Sequence, residues 1–223
     1  MKTLRNHSLS LVFLTMFLAA LCGQAIAGHA EFNALADEHG SPHISLARYV
    51  VSSDYGSAVM ENWQSEYLQF TLMILLTVWL LQKGSPESKP LDQSGRESDQ
   101  AQKVGAYAQQ NSPRWAKVSG IRRTLYENSL VIVMGTFWLG SWLAQSVTGV
   151  VQYNSERLDH HQAPVEWSHY ITSPNFWQNT LQNWQSEFLA VGSMAILSIY
   201  LRQRGSPESK PVGAPHGSTG ATG

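Results

Sequence analysis

Residues 130–151 read LVIVMGTFWLGSWLAQSVTGVV, 22 residues without a charge in the middle of the chain. At about 1.5 Å of rise per helical residue, such a run crosses a hydrocarbon layer of about 30 Å. It predicts a membrane span. Residues 9–27 (LSLVFLTMFLAALCGQAIA) make a second uncharged run of 19 residues. Two shorter runs, residues 67–81 and 188–201, hold 15 and 14 residues, and each follows the same block, Asn-Trp-Gln-Ser-Glu plus an aromatic. Extending each helix back through Trp63 or Trp184 adds the turn that a crossing needs and sets those two indoles as interfacial anchors.

Composition points the same way. The 223 residues carry a formal charge of -1 with 14% charged residues, so a binder driven by phosphate contacts, and with it a nucleic-acid partner, is not expected. Hydrophobic residues are 43% although mean hydropathy is -0.19, so the apolar content is concentrated in segments. A single cysteine, Cys22, excludes an intramolecular disulfide framework and a cysteine-based zinc site.

The first run has a competing reading. Lys2, Arg5, the apolar stretch and Ala25-Ile26-Ala27 resemble a cleavable secretory signal. An internal match argues for an uncleaved span. Sliding the chain on itself by 121 positions pairs residues 3–90 with 124–211, with 30 identities in 88 pairs and no gap. The segment 9–27 then falls on 130–148, where no signal could be meant. A lipoprotein site is disfavoured because Leu21, before Cys22, is too large.

The densest matching blocks are residues 62–66 with 183–187 (NWQSE) and residues 84–90 with 205–211 (GSPESKP). Each unit is a span, a polar loop, a second span and a Gly-Ser-Pro stop, and such repeats fix architecture. The expected fold is an all-α membrane protein with four transmembrane helices, arranged as two tandem, parallel-oriented helical hairpin repeats with short outer-loop helices. Residues 1–90 form the first two-span repeat, 91–121 a polar cytoplasmic linker read as mobile, 122–211 the second repeat and 212–223 a flexible tail. Four spans put 13 of the Lys and Arg residues on the side of the termini and linker against two, Arg48 and Arg157, on the other. The positive-inside rule then sets both termini in the cytoplasm.

The duplicated NWQSE[FY]L block resembles that of an uncharacterised bacterial integral-membrane family, a domain of unknown function. So do Asn33 and Asn154 in the outer loops, His39 before Pro42, His160 before Pro164, and the closing GSPESK. The resemblance implies a multi-pass protein of the bacterial inner membrane and brings no activity with it.

Candidate functional residues follow from depth. Glu66 and Glu187 stand at the membrane edge, where a carboxylate is costly unless it is paired, protonated or turned inward. Asn62 and Asn183 sit four residues earlier on the same helical faces, so amide and carboxylate can converge. A proton or cation path is one reading of this set, and an interfacial hydrogen-bond anchor is the plainer one. Ala19, Gly23 and Ala27, with their shifted partners Gly140, Ala144 and Thr148, form small-residue stripes that permit close helix approach. Gln24 and Gln145 lie beside them and are expected to bond across helices. Six of the eight His fall in the outer loops near acids, yet no ligand motif such as HExxH occurs, so neither metal nor cofactor is expected. The stop blocks combine a C-cap glycine, a proline that forbids continuation and basic residues at the headgroups. No phosphate loop, nucleophile elbow or dinucleotide fingerprint is present.

The leading expectation is therefore an integral inner-membrane protein with a structural or interactive role, not an enzyme, whose partner is the lipid bilayer. A homodimer is compatible with so thin a bundle. The alternative is a small proton- or ion-coupled permease using the paired glutamates.

Overall fold

Both long uncharged runs lie inside helices that extend well beyond them. In the computed structural model of the protein, which describes residues 2–220, helix α1 (Lys2–Asn6) leads into α2 (Ser8–Glu38). After α3 (Leu46–Tyr49) and α4 (Ser53–Leu76), the chain passes through two 3-10 turns, Gly105–Tyr107 and Arg114–Lys117. Then come α5 (Ile121–Glu127), α6 (Ser129–Asp159), α7 (Trp167–Tyr170) and α8 (Pro174–Tyr200). No strand occurs among the described residues. The protein is all-helical. Helices α2 and α6 each have 31 residues and begin 121 positions apart.

Two of the helices, α2 and α6, are long and apolar enough to cross a membrane, where four spans were expected. The reason is compositional. Helices α4 and α8, with 24 and 27 residues, have the length, but Asn, Gln, Ser, Thr and Glu interrupt their apolar character. The expected apolar run of residues 67–81 also stops being helical at Leu76. There the linker returns: Gly95 N–H donates to the Val78 carbonyl at 2.8 Å and Ser94 Oγ donates to that of Trp79 at 2.8 Å. Carbonyls captured by the linker no longer need helical partners.

The chain divides into two compact units, Met1–Met60 with Ala144–Ile171, and Glu61–Leu143 with Thr172–Gly223. Each draws on both halves of the sequence. In the first unit, Asn33 clasps the chain after α2, with the Ile44 N–H donating to Oδ1 at 3.0 Å and Nδ2 donating to the Ile44 carbonyl at 3.1 Å. Asn154 makes the same pair of bonds with Val165, at 2.8 and 2.9 Å. Each clasp turns the chain into a four-residue helix, α3 or α7, whose last residue is a buried tyrosine. A Cβ on Gly28 would stand 2.3 Å from the Tyr49 hydroxyl, and one on Gly149 would stand 2.4 Å from that of Tyr170. Glycine is required at both seats because nothing larger fits under the ring.

In the second unit the linker is tied down rather than left as open coil. Lys89 pairs with Glu97, and Arg123 pairs with both Asp99 and Glu127. The tail through residue 220 is also held: Gly84 N–H donates to Thr219 Oγ1 at 2.9 Å, and Gly220 N–H to the Ser85 carbonyl at 3.1 Å. The last residues of the expected tail, 221–223, lie outside the described residues.

Candidate functional site

The NWQSE blocks sit on α4 and α8, and within the second unit these helices meet along a polar seam. Three bonds cross it in succession. Asn179 Nδ2 donates to Glu61 Oε1 at 3.4 Å, Trp184 Nε1 donates to Gln64 Oε1 at 2.7 Å, and Ser65 Oγ donates to Glu187 Oε1 at 3.4 Å. Gln64 and Thr180 are 0% exposed. Ser173 starts α8 by accepting the Phe176 N–H at 3.2 Å, followed by Pro174 in the first turn, and this sets the register that brings Trp184 to Gln64.

Aromatic rings close one end of the seam. Trp142 stacks on Trp138 (centroids 6.1 Å apart, 11° between planes) and on Phe176 (6.2 Å, 20°), and its ring centroid lies 5.7 Å from that of Trp184. Its indole N–H reaches Thr180 Oγ1 at 3.4 Å. The contacts with Phe176, Trp184 and Thr180 join α6 to α8, so the packing of α6, α4 and α8 in this unit is a Trp-lined polar interior.

The unit's interior and surface are chemically inverted. Gln64, Ser65, Thr71, Ser141, Thr180 and Ser198 are buried. Phe70, Leu75, Leu139, Leu181, Phe188, Leu189, Ile196 and Leu197 are exposed. In water the distribution runs the other way.

The residues singled out from sequence fall as follows. Glu187 is half-buried and bonded by Ser65, while Glu66 is exposed and lies within electrostatic reach of Glu187. Asn183 Nδ2 donates back to the Asn179 carbonyl at 2.8 Å, and Asn62 is exposed. Trp63 is half-buried on α4, and the Trp184 indole is half-buried with its N–H donating to Gln64 in the seam. Of the small-residue stripes, Thr148 stands against α4 at Gly56, while the α2 stripe and Gly140 lie open. Ala19, Gly23 and Ala27 are exposed, and nothing lies within 4 Å of a Cβ placed on Gly23 or Gly140. Ala144 and Thr148 are half-buried, and the Thr148 methyl would stand 3.1 Å from a Cβ on Gly56. Gln24 is half-buried, whereas Gln145 is 0% exposed and neither amide atom has a hydrogen-bond partner.

The two GSPESK blocks carry chemistry that their reading as stop signals missed. Glu87 and Glu208, 121 positions apart, are hydrogen-bonded to each other. That bond, then burial, then the neighbouring Glu208 charge raise the Glu87 carboxyl to about 7. The identical lysines differ in their surroundings. Lys89 donates to the Gly95 carbonyl at 2.9 Å and pairs with Glu97, holding that carboxyl below its usual range. Lys210 is 0% exposed and donates to the carbonyls of Pro215, His216 and Ser218 at 3.3, 2.7 and 3.2 Å. Burial, then Arg202, push its ammonium below the usual lysine range. The pairing of Glu87 with Glu208 could have been found from the 121-residue shift, which makes the two positions equivalent.

Around the C-terminal end of α2, His43 bonds Asp37 at 2.7 Å and His29 bonds the Ile44 carbonyl at 2.7 Å. Among the described residues no three His, Cys, Asp or Glu side chains converge as a metal site.

A family model described as a domain of unknown function (DUF6766) matches residues 1–221. No curated protein and no solved structure matches the chain.

Proposed function

The chain belongs to the DUF6766 family, a domain of unknown function, and from that premise we propose that it is a multi-pass protein of the bacterial inner membrane with a structural or interactive role. One observation carries this reading: polar side chains share the interior of the second unit with Leu68 and Phe176, while many of its large apolar side chains are bare. Lipid is the solvent that suits such a surface, because between helices in a bilayer the drive comes from close packing and hydrogen bonds.

Helix α2 supports the same solvent, since only 6% of its most apolar stretch is buried and the core helix of a water-soluble protein would be covered. Helix α6, with 17% buried, lies too far along the chain to be a leader. On this reading α4 and α8 also cross, making four spans in two hairpin repeats. Their polar residues are tolerated because they bond to one another across the seam. The recurrence of the Asn clasp and the glycine-tyrosine seat at a spacing of 121 residues supports the duplication. Both termini and the linker are cytoplasmic, following the basic residues.

Fusing a topology reporter behind Pro211, and another within the loop between α2 and α4, tests this arrangement. The first is expected to be active only in the cytoplasm and the second only in the periplasm. The opposite pattern overturns it.

A second reading, a small proton- or ion-coupled permease, draws on Glu187 being held by Ser65 beside Glu66. It requires that Glu66→Gln with Glu187→Gln abolish a proton or cation flux measured in vesicles containing the parent chain. Flux that is absent from the parent, or unchanged by the pair of substitutions, removes it.

A further inference from the structure

The segment between the second and third crossings is organised in a way that spans and loops alone do not require. Residues 103–123 hold five Lys and Arg (103, 114, 117, 122 and 123) and no Asp or Glu. The segment has its own small core, Val104 and Ala116, and is closed at its base by the ion pair of Arg123 with Asp99. That pair and Glu127 neutralise Arg123. Arg114 and Arg122 make no hydrogen bond or ion pair among the described residues, and the Lys117 ammonium meets only the Gln110 carbonyl, at 2.6 Å. Beside these cations stand bare apolar side chains: Trp115 is 49% exposed, Ile121 71% and Leu125 44%. A shallow groove of about 800 Å³ runs between Lys117 and Arg122, open at Gly120 and bordered at Gly105 by the Arg123 guanidinium.

Uncompensated cations next to exposed indole and aliphatic groups suit neither bulk water nor a neutral surface. They match the boundary of an anionic bilayer, where charge meets headgroup phosphate and the apolar groups enter the acyl edge. Position selects this occupant over a soluble acidic partner, because only Asn128 separates α5 from α6, the apolar helix read as a span. At about 1.5 Å per residue, Arg122 stands within roughly 15 Å of the hydrocarbon entry.

We propose that Arg114, Trp115, Lys117, Ile121, Arg122 and Leu125 form a docking face for anionic phospholipid headgroups on the cytoplasmic leaflet. This inference rests on the membrane reading, and the test separates the two. The full-length chain is reconstituted into vesicles of phosphatidylcholine alone or mixed with phosphatidylglycerol, and sedimented vesicles are followed by backbone hydrogen exchange.

Residues 114–126 are expected to exchange about tenfold more slowly in the anionic vesicles, with the difference erased by high salt. Arg114→Gln, Lys117→Gln and Arg122→Gln together should remove the difference and leave exchange in α6 unchanged. A chain that sediments with both vesicles but exchanges equally in them overturns the docking face and leaves the membrane reading standing. So does a difference that survives the triple substitution. A chain that stays in the supernatant overturns both.

Discussion

Helix α2 and the α4–α8 pair solve the same problem in opposite ways. Of the 31 residues of α2, only Ala25 and Ala36 are buried, and most of its Leu, Val and Phe side chains are exposed, Leu21 and Phe32 being half-buried. Helices α4 and α8 are less apolar, yet they bury Gln64, Ser65 and Thr180 and expose Phe70, Leu75, Leu181, Phe188, Leu189, Ile196 and Leu197. On the membrane reading, α2 suits lipid through a central run that is almost wholly apolar, and α4 and α8 suit it by bonding their polar groups in a shared seam. The outward faces are therefore alike although the compositions differ, and the face decides which solvent a helix suits.

The comparison breaks most sharply with a charge on an outward face. Leu18 on α2 and Met194 on α8 are 49% and 42% exposed. If water bathes them, Leu18→Arg and Met194→Arg change stability by no more than about 0.5 kcal/mol. In a bilayer each costs about 3 kcal/mol, and the fraction of chain retained in washed membranes should fall for both.

A smaller effect is expected where α2 has one of its few tight contacts. Gly28→Ala places a methyl against the Tyr49 hydroxyl, and Gly149→Ala does the same at Tyr170. Each should destabilise by about 2 kcal/mol through overpacking, read as a lowered Tm in detergent, with Tyr49→Phe or Tyr170→Phe restoring part of the loss. In the seam, Gln64→Leu leaves the Trp184 N–H without its acceptor and should cost about 1 kcal/mol, with little change for an outward Leu181→Val.

The smallest expected effect lies outside the long helices. Glu87 has its carboxyl raised to about 7 beside Glu208, so the folded chain holds a proton that the unfolded chain releases nearer the usual carboxylate value. Stabilisation is then complete below the unfolded value and is lost as pH rises through about 7. Opening of residues 84–90, followed by hydrogen exchange corrected for intrinsic rates, should increase across that range, and Glu208→Gln should flatten the dependence.

Much of this was legible in the sequence. Residues 9–27 and 130–151 are uncharged for a full crossing, and they became α2 and α6 because an apolar run that long has few other ways to satisfy its backbone. The helix end at Leu76 was not legible, since it depends on Ser94 and Gly95 returning to the carbonyls of Trp79 and Val78. Sequence places the NWQSE blocks at a membrane edge and singles out Asn62, Glu66, Asn183 and Glu187. The bonds across the seam use Glu61, Gln64, Ser65, Asn179, Trp184 and Glu187. Spacing along one helix shows which side chains share a face, not which neighbour that face meets. For the same reason the small stripe through Gly23 drew notice, while Gly28 and Gly149, identical under the shift of 121, are the glycines under tyrosine rings.

The solvent itself can be tested directly. Cells expressing the full chain are broken, their membranes washed in alkaline carbonate without detergent, and pellet and supernatant separated by ultracentrifugation. An inverted surface of bare Leu, Phe and Ile over a polar seam predicts that the chain stays in the pellet and leaves it only on addition of detergent. Recovery of the folded chain in the detergent-free supernatant would contradict the account at its centre.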